Sequence, residues 1–376
     1  MFIELHVIQN FAPSNLNRDD TNNPKDCVFG GTRRARISSQ CLKRAIRLAP
    51  VFEQTVGRER GIRTRLIARE FQRRFEDAGV HPGQAAEAAM ALAKAYTVKA
   101  KKDKAKQGSE AAESEQTNVL IYLSPQEIDD LTGKVLGNWS TVTADFAGLQ
   151  QIVEDFVKET KGRTTAPDIA LFGRMLADRP ETNVDAACQV AHAISTHRVS
   201  MDIDFFTAVD DLQTREETGA GMMGITGFNS ATFYRYARLD WEQLVTNLYG
   251  QADLARRAVE GFLRAAVEAV PTGKQNTFAA HNPPSFILAV VREGGMGWSL
   301  ANAFERPVVG GEGGLVKPSV EALDAYWGRL VNTYGFDGIA AAVVLDDGVS
   351  LNNLAWFQKP TFEECLQQIM AALPQE

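Results

Sequence analysis

From Phe2 to Phe11, Phe, Ile, Leu and Val interleave with polar residues, and Ala12-Pro13-Ser14-Asn15 ends the run with turn formers, so the chain opens on a strand. A polar loop through Asn17-Arg18-Asp19-Asp20 and Asn22-Asn23-Pro24-Lys25 reaches Gly30-Gly31, after which Arg33 to Ile37 is extended. Ser38 is a helix N-cap, and the helix it starts runs to about Ala49. Helical spacing puts Gln40, Lys43 and Arg47 on one cationic stripe and turns Leu42, Ala45 and Ile46 elsewhere. The stretch 57–106 is helical in character, with Ile67, Phe71 and Phe75 on one stripe among Arg63, Arg69, Arg73 and Arg74. It gives way to a low-complexity tract that holds Lys99, Lys101, Lys102, Lys104 and Lys106 and is read as a loop.

Beyond that tract, Val119–Leu123 reads as a short strand, Ser124-Pro125-Gln126-Glu127 as a helix start, and Phe146, Leu149, Val153 and Phe156 as an amphipathic helix. Ala187–Thr196 is an apolar run of strand length. The alternating segments 202–210 and 226–237, joined by a polar, Gly-rich stretch, read as a long hairpin. Helices near 239–249 and 252–269, a strand near 285–291, a Gly-rich turn at 310–314, a helix near 318–333 and a strand near 339–345 follow. Strands and helices mix without a repeating unit, which predicts an α+β fold.

The 376 residues allow one domain with large insertions, or two domains. A hydrophobic fraction of 44% with 23% charged residues excludes global disorder. Cys27, Cys41, Cys188 and Cys365 lie far apart without metal-knuckle spacing, which disfavours disulfides and structural zinc and suits a reducing cytoplasm. Membrane-length apolar runs and a signal peptide are lacking, so a cytoplasmic protein without membrane contact is expected, and the Asn138-Trp139-Ser140 sequon is a chance match. The net charge of −7 hides a segregation: residues 1–106 hold 21 Lys+Arg against 11 Asp+Glu, and the remainder 19 against 36. A basic surface on an acidic body suits a polyanion partner at one place only.

Catalytic signals are weak. His192 and His197, the closest pair of the five histidines, fall on different faces of a helix or a strand, and HExxH, GxSxG and Walker patterns do not occur. Gly310-Gly311-Glu312-Gly313-Gly314 lacks the Lys-Ser/Thr of a phosphate loop. Asp19, Asp20 and Asp26 offer carboxylates for a divalent cation or a general base, although Arg18 and Lys25 flank them and loops use Asp to make turns. No cofactor, metal site or catalytic residue is expected. The stronger constellation is Arg18, Lys25, Arg33, Arg34, Arg36, Lys43, Arg44 and Arg47 around the Ser38-Ser39 helix start, where free N–H groups and the dipole favour phosphate. Phe205-Phe206 on the hairpin adds rings for base stacking; of two adjacent strand positions, at most one is expected to pack inward.

These residues carry a resemblance. LNRDD at 16–20, KDCVFGG at 25–31, RRARISSQCLKRAIR at 33–47 and DIDFFTAVDDL at 202–212 look like the CasC-type (Cse) backbone family of type I-E CRISPR Cascade complexes. DIALFGRM at 168–175, VAHAISTH at 190–197, FYRYA at 233–237, FAAHNP at 278–283 and SLANAFE at 299–305 extend it over nearly the whole chain, with 50–160 as the least similar part.

The resemblance implies an RRM-like (ferredoxin-like) palm formed by 1–48, 187–198 and 233–376, helical fingers at 49–186 and a β-hairpin thumb at 199–232. About six copies would stack along one CRISPR guide RNA, beside other Cascade subunits, and present it to target DNA, while a recruited helicase-nuclease does the cutting. Guide phosphates would be held by Arg18, Lys25, Ser38, Gln40, Lys43, Arg44 and Arg47. Phe205, Phe206, Thr207 and Val209 would act from the thumb and Met175 as an apolar wedge from the fingers. Lys99, Lys101, Lys102 and Lys104 would follow the target duplex. Contacts to phosphate and sugar carry no sequence information, which fits a subunit that holds any guide. The enzymatic alternative is a metal-dependent ribonuclease acting on guide-paired RNA through Asp19, Asp20 or Asp26.

Overall fold

In the computed structural model, the residues described are all except 58, 98–115, 143–145, 147, 178, 209–221, 346–348 and 376. Lys99, Lys101, Lys102, Lys104 and Val209 therefore lie outside the described residues. The strands are β1 (Phe2–Ser14), β2 (Asp26–Phe29), β3 (Thr32–Ile37), β4 (Ile62–Thr64), β5 (Ile121–Leu123), β6 (Cys188–Val190), β7 (Ala193–Ser195), β8 (Asp202–Ala208), β9 (Met222–Asp240), β10 (Phe286–Arg292) and β11 (Gly338–Leu345). The chain divides into two units.

The first unit comprises Met1–Phe52, Gln189–Leu239 and Phe262–Pro374. Its antiparallel sheet runs β11-β10-β1-β9-β7-β3-β2, with β6 and β8 also pairing with β9. β1 pairs antiparallel with β10 from Phe2↔Arg292 to Ile8↔Phe286, and every residue of β10 is buried, as befits a strand covered on both faces. The single strand expected over Ala187–Thr196 is instead two short ones, β6 and β7. Between them Ala191 and His192 leave the ladder, and the Ala191 N–H reaches the Tyr236 carbonyl at 2.9 Å.

One face of the sheet is closed by the helix Val316–Tyr334 and the turn Leu300–Phe304, whose Trp327, Leu323 and Phe304 pack with Ile8, Tyr234, Leu288 and Trp298. Beneath this layer Glu4 is fully buried and accepts from the Tyr236 hydroxyl at 2.6 Å, the Trp298 N–H at 2.8 Å and Arg292 Nε at 2.7 Å. A buried carboxylate with three donors is a satisfied one. His6 lies alongside, its Nδ1 2.9 Å from the Tyr234 hydroxyl. In the same unit the buried Asp324 carboxylate accepts the N–H groups of Asn352, Asn353 and Leu354, and the loop so pinned holds out Trp356, 93% exposed.

The second unit comprises Glu53–Cys188, Asp240–Gly261 and the last two residues. It is mainly helical with a small β4-β5 ladder. The predicted stripe Ile67, Phe71 and Phe75 is fully buried on the helix Ile67–Asp77, and Leu149, Val153 and Phe156 join the same core. Phe146 precedes the helix Leu149–Glu159 and has φ 57°, so the expected helix begins later than the apolar spacing suggested. Ser124 and Glu127 form a reciprocal capping box on the helix Pro125–Gly137. No helix among the described residues is long and apolar enough to cross a membrane.

Candidate nucleic-acid interface

The loop between β1 and β2 is built by asparagines and one aspartate. Asp19 accepts from the Thr21 N–H at 2.9 Å, the Thr21 hydroxyl at 2.7 Å and the Asn23 N–H at 3.0 Å. The Thr21 hydroxyl bond, with the Asn23 bond next, holds its carboxyl below the usual range. Asp19 thus closes a turn, the role Asp favours in loops. Asp26 is ion-paired to Arg33 across the β2-β3 hairpin. Groupings of three or more His, Cys, Asp or Glu able to hold a metal ion do not occur among the described residues.

Asn17 ties this loop to the helix start. Its side-chain carbonyl accepts the Ser38 N–H at 2.8 Å and its backbone carbonyl the Lys25 N–H at 2.9 Å, while the Lys25 carbonyl accepts the Arg36 N–H at 2.9 Å. Ser38 caps the helix Ser39–Leu48 as predicted, accepting from the Cys41 N–H at 3.3 Å. The first-turn N–H groups of Ser39 and Gln40 have no intrahelical acceptor, which leaves two oriented donors beside Lys25. On that helix Leu42 and Ile46 are buried, Lys43 and Arg47 half-buried, and Gln40 and Arg44 exposed. Arg18 is exposed and donates to Asn22 Oδ1 at 2.8 Å.

The arginines of β3 divide in a way charge alone did not reveal. Arg34, grouped by the sequence with the phosphate-binding cations, is fully buried. It donates to Thr32 Oγ1 at 2.9 Å and to the carbonyls of Ser195 at 3.0 Å and Phe304 at 2.8 Å. Burial lowers its pKa. It is a strut joining β3, β7 and the Leu300–Phe304 turn. Arg36 is half-buried, its Nε on the Asp26 carbonyl at 3.1 Å and its Nη1 3.0 Å from His192 Nδ1. The sequence treated His192 only as half of an absent metal pair; the break between β6 and β7 that brings it here had no sequence signal.

β8 and β9 form the predicted hairpin, in register from Asp202↔Phe228 to Ala208↔Met222. Phe205 and Phe206 are 68% and 43% exposed, so neither packs inward, within the expectation that at most one would. Phe205 shares a face with the exposed Ile203 and Ile225, while Phe206 lies over Gly224, its register partner. A Cβ at Gly224 would stand 2.1 Å from Phe206 Cζ, so a side chain there would push the ring from where it lies. Thr207 is exposed. The hairpin base is fastened to the cationic loop by the buried Asn15, which donates to the carbonyls of Gly227 at 2.8 Å and Asn22 at 3.1 Å.

Met175, in the second unit, is 84% exposed between two anchored neighbours. Arg174 is buried against Glu127 at 2.9 Å and donates to the Thr182 carbonyl at 2.7 Å; Leu176 is buried and its N–H bonds Asn183 Oδ1 at 2.8 Å. With the backbone on both sides already anchored, a contact at Met175 orders its side chain but not its loop.

The family model described as CT1975-like protein matches residues 3–369. A solved chain described as "CRISPR RNA-guided surveillance complex, pre-nicking" superposes with a TM-score of 0.86 at 33% identity, over 99% of this chain and 100% of that one. Another, described as "CRISPR RNA-guided surveillance complex", does so with a TM-score of 0.75 at 29% identity, again over 99% and 100%. No curated protein matches the chain. With the family model spanning both units and end-to-end similarity to solved chains, the chain belongs to the CT1975-like family of Cas proteins.

Proposed function

We propose that this chain is the non-catalytic guide-RNA-binding backbone subunit of a type I-E Cascade complex, of the CasC type. The observation that carries the reading is the joined construction of loop 15–25, the Ser38-capped helix and the hairpin base through Asn15 and Asn17. One rigid frame thereby presents cations, free N–H groups and exposed aromatic rings, the components of a single-strand site. The end-to-end similarity to a chain of a CRISPR RNA-guided surveillance complex supports it.

The succession β1, helix Ser39–Leu48, β7, β9, helix Ala252–Glu268, β10, with the spatial order β10-β1-β9-β7, supports an RRM-like palm over 1–48, 187–198 and 233–376. The inserted helices at 49–186 are then the fingers and 199–232 the thumb. On an open RRM sheet, bases stack on the central strands. Here His6, Ile8 and Tyr234 on those strands are buried under Trp298 and Trp327, so contacts fall to the loop, helix start and hairpin. Phosphates engage Arg18, Lys25, Ser38, Gln40, Lys43, Arg44 and Arg47. Phe205, Phe206, Thr207 and Val209 meet the RNA from the thumb, and Met175 supplies the wedge. Lys99, Lys101, Lys102 and Lys104 follow target DNA paired to the guide. Further copies of the chain, about six, stack head to tail along the RNA, and a separate helicase-nuclease cuts.

Extraction of nucleic acid from the purified protein tests this. A ladder of small RNAs sharing one flanking sequence is expected; protein free of RNA that also ignores added single-stranded RNA would overturn it. Incubation with complementary RNA and Mg²⁺ is expected to leave that RNA intact; regular cuts lost in Asp20→Ala would establish the ribonuclease instead.

A further inference from the structure

His192 sits where three elements of the first unit meet. Arg36 approaches from β3, Lys25 from the loop before β2, and His192 itself occupies the break between β6 and β7. A guanidinium has only donors, so the 3.0 Å contact fixes His192 Nδ1 as an acceptor and places the ring proton on Nε2. The other charges here are accounted for: the Asp26 carboxylate is on Arg33, and its carbonyl holds Arg36 Nε. Cys27, near Arg36, has its thiol pKa raised by burial and stays neutral. No carboxylate among the described residues is hydrogen-bonded to His192, Arg36 or Lys25. The trio carries two positive charges and offers Nη groups, an ammonium and an imidazole N–H, with His192 exposed and Lys25 and Arg36 half-buried.

We propose that Lys25, Arg36 and His192 form one backbone-phosphate subsite, and that a phosphate seated there draws a proton onto His192. The inference rests on the guide-RNA reading above and adds Arg36 and His192 to its contacts. In the free protein Nδ1 is occupied by Arg36, and protonating it would set two donors face to face. A phosphate oxygen that accepts Arg36 Nη1 takes that donor off the ring, so Nδ1 can take a proton from water, and the imidazolium is attracted to the phosphate. Phosphate and proton each remove what opposes the other, a reciprocal coupling. Burial, with Arg36 and Lys25 acting in the same sense, lowers the His192 pKa without ligand; a bound anion opposes the last two causes. Affinity therefore rises as pH falls through the range just below the ordinary imidazole value.

The test is fluorescence anisotropy of the full chain with a single-stranded RNA oligonucleotide from pH 5.5 to 8 at fixed ionic strength, with matched single-stranded DNA and inorganic phosphate in parallel arms. Wild-type affinity for RNA is expected to rise at least about threefold from pH 7.5 to 5.5, a coupling within the usual range for linked sites. The rise should be lost in His192→Gln, whose thermal melt checks folding. DNA showing the same rise assigns the subsite to phosphate in either backbone, and competition by millimolar inorganic phosphate that weakens with His192→Gln supports the same assignment. RNA binding whose pH profile is flat, or equally steep in wild type and His192→Gln, overturns the subsite and leaves the guide-RNA reading standing. Absence of RNA binding throughout overturns both.

Discussion

Arg34→Ala discriminates between a guanidinium that grips RNA and one that holds the fold. Its side chain donates at 2.8 Å to the Phe304 carbonyl and at 3.0 Å to the Ser195 carbonyl, both away from water, and at 2.9 Å to the part-buried Thr32 Oγ1. A hydrogen bond to a charged donor contributes about 1.5–3 kcal/mol, and an orphaned buried carbonyl costs about 1–3 kcal/mol. Two well-formed bonds to carbonyls, less the relief from no longer burying the charge that lowers its pKa, leave a loss of about 3 kcal/mol. For a cooperative unit of ordinary size this is a fall in Tm of about 5–10 °C. Differential scanning calorimetry reads it directly, and the salt dependence of RNA binding by the remaining folded protein should be unchanged. A wild-type Tm with a salt slope shallower by about 0.7 would refute the reasoning and return Arg34 to the phosphate site.

Replacing Lys43 and Arg47 together by Ala should weaken binding of all guide sequences alike and flatten the salt slope by about 1.4, measured by anisotropy between low and moderate salt; an unchanged slope removes them from the track. Phe206→Ala should weaken binding by about 1–3 kcal/mol while moving Tm little, because its ring is 43% exposed. Gly224→Ala, which evicts the same ring, should reproduce the binding loss; a Gly224→Ala protein that binds as wild type would refute the stacking role. Burial, opposed by Glu4 and helped by Arg292, pulls the pKa of His6 down to about 4 from its ordinary 6.5. The folded state refuses a proton that the unfolded chain accepts below 6.5, so this contribution is complete above that pH and is lost as pH falls toward 4. It amounts to about 3 kcal/mol, and urea unfolding at pH 7 and 4.5 should show it, with a smaller difference in His6→Leu; equal stabilities would refute it.

Local chemistry made much of the fold legible. The Ser38 cap, the Ser124/Glu127 capping box and the Ile67-Phe71-Phe75 stripe were readable because each signal lies within a few residues and is satisfied there. The helix Phe362–Ala371 was missed although Thr361 and Glu364 mark its start and Phe362, Leu366 and Ile369 keep helical spacing. Arg34 and Arg36 are two residues apart and alike in sequence; burial under a segment some 270 residues away separates them, and no local pattern encodes that. Both phenylalanines of the hairpin stay exposed because strand alternation assigns faces but does not say whether anything covers them. His192 reached the cationic site through a break in a run that read as one continuous strand.

Trp356 gives the molecule a spectroscopic handle. Trp241, Trp298 and Trp327 are buried and Trp139 is partly so, which leaves one indole of the five almost wholly in water. Its loop is clasped by Asp324, so the ring's environment alters only when something settles on that spot, not when the backbone wanders. Iodide quenching, strongest at that indole, would report without any label whether an added partner covers the surface.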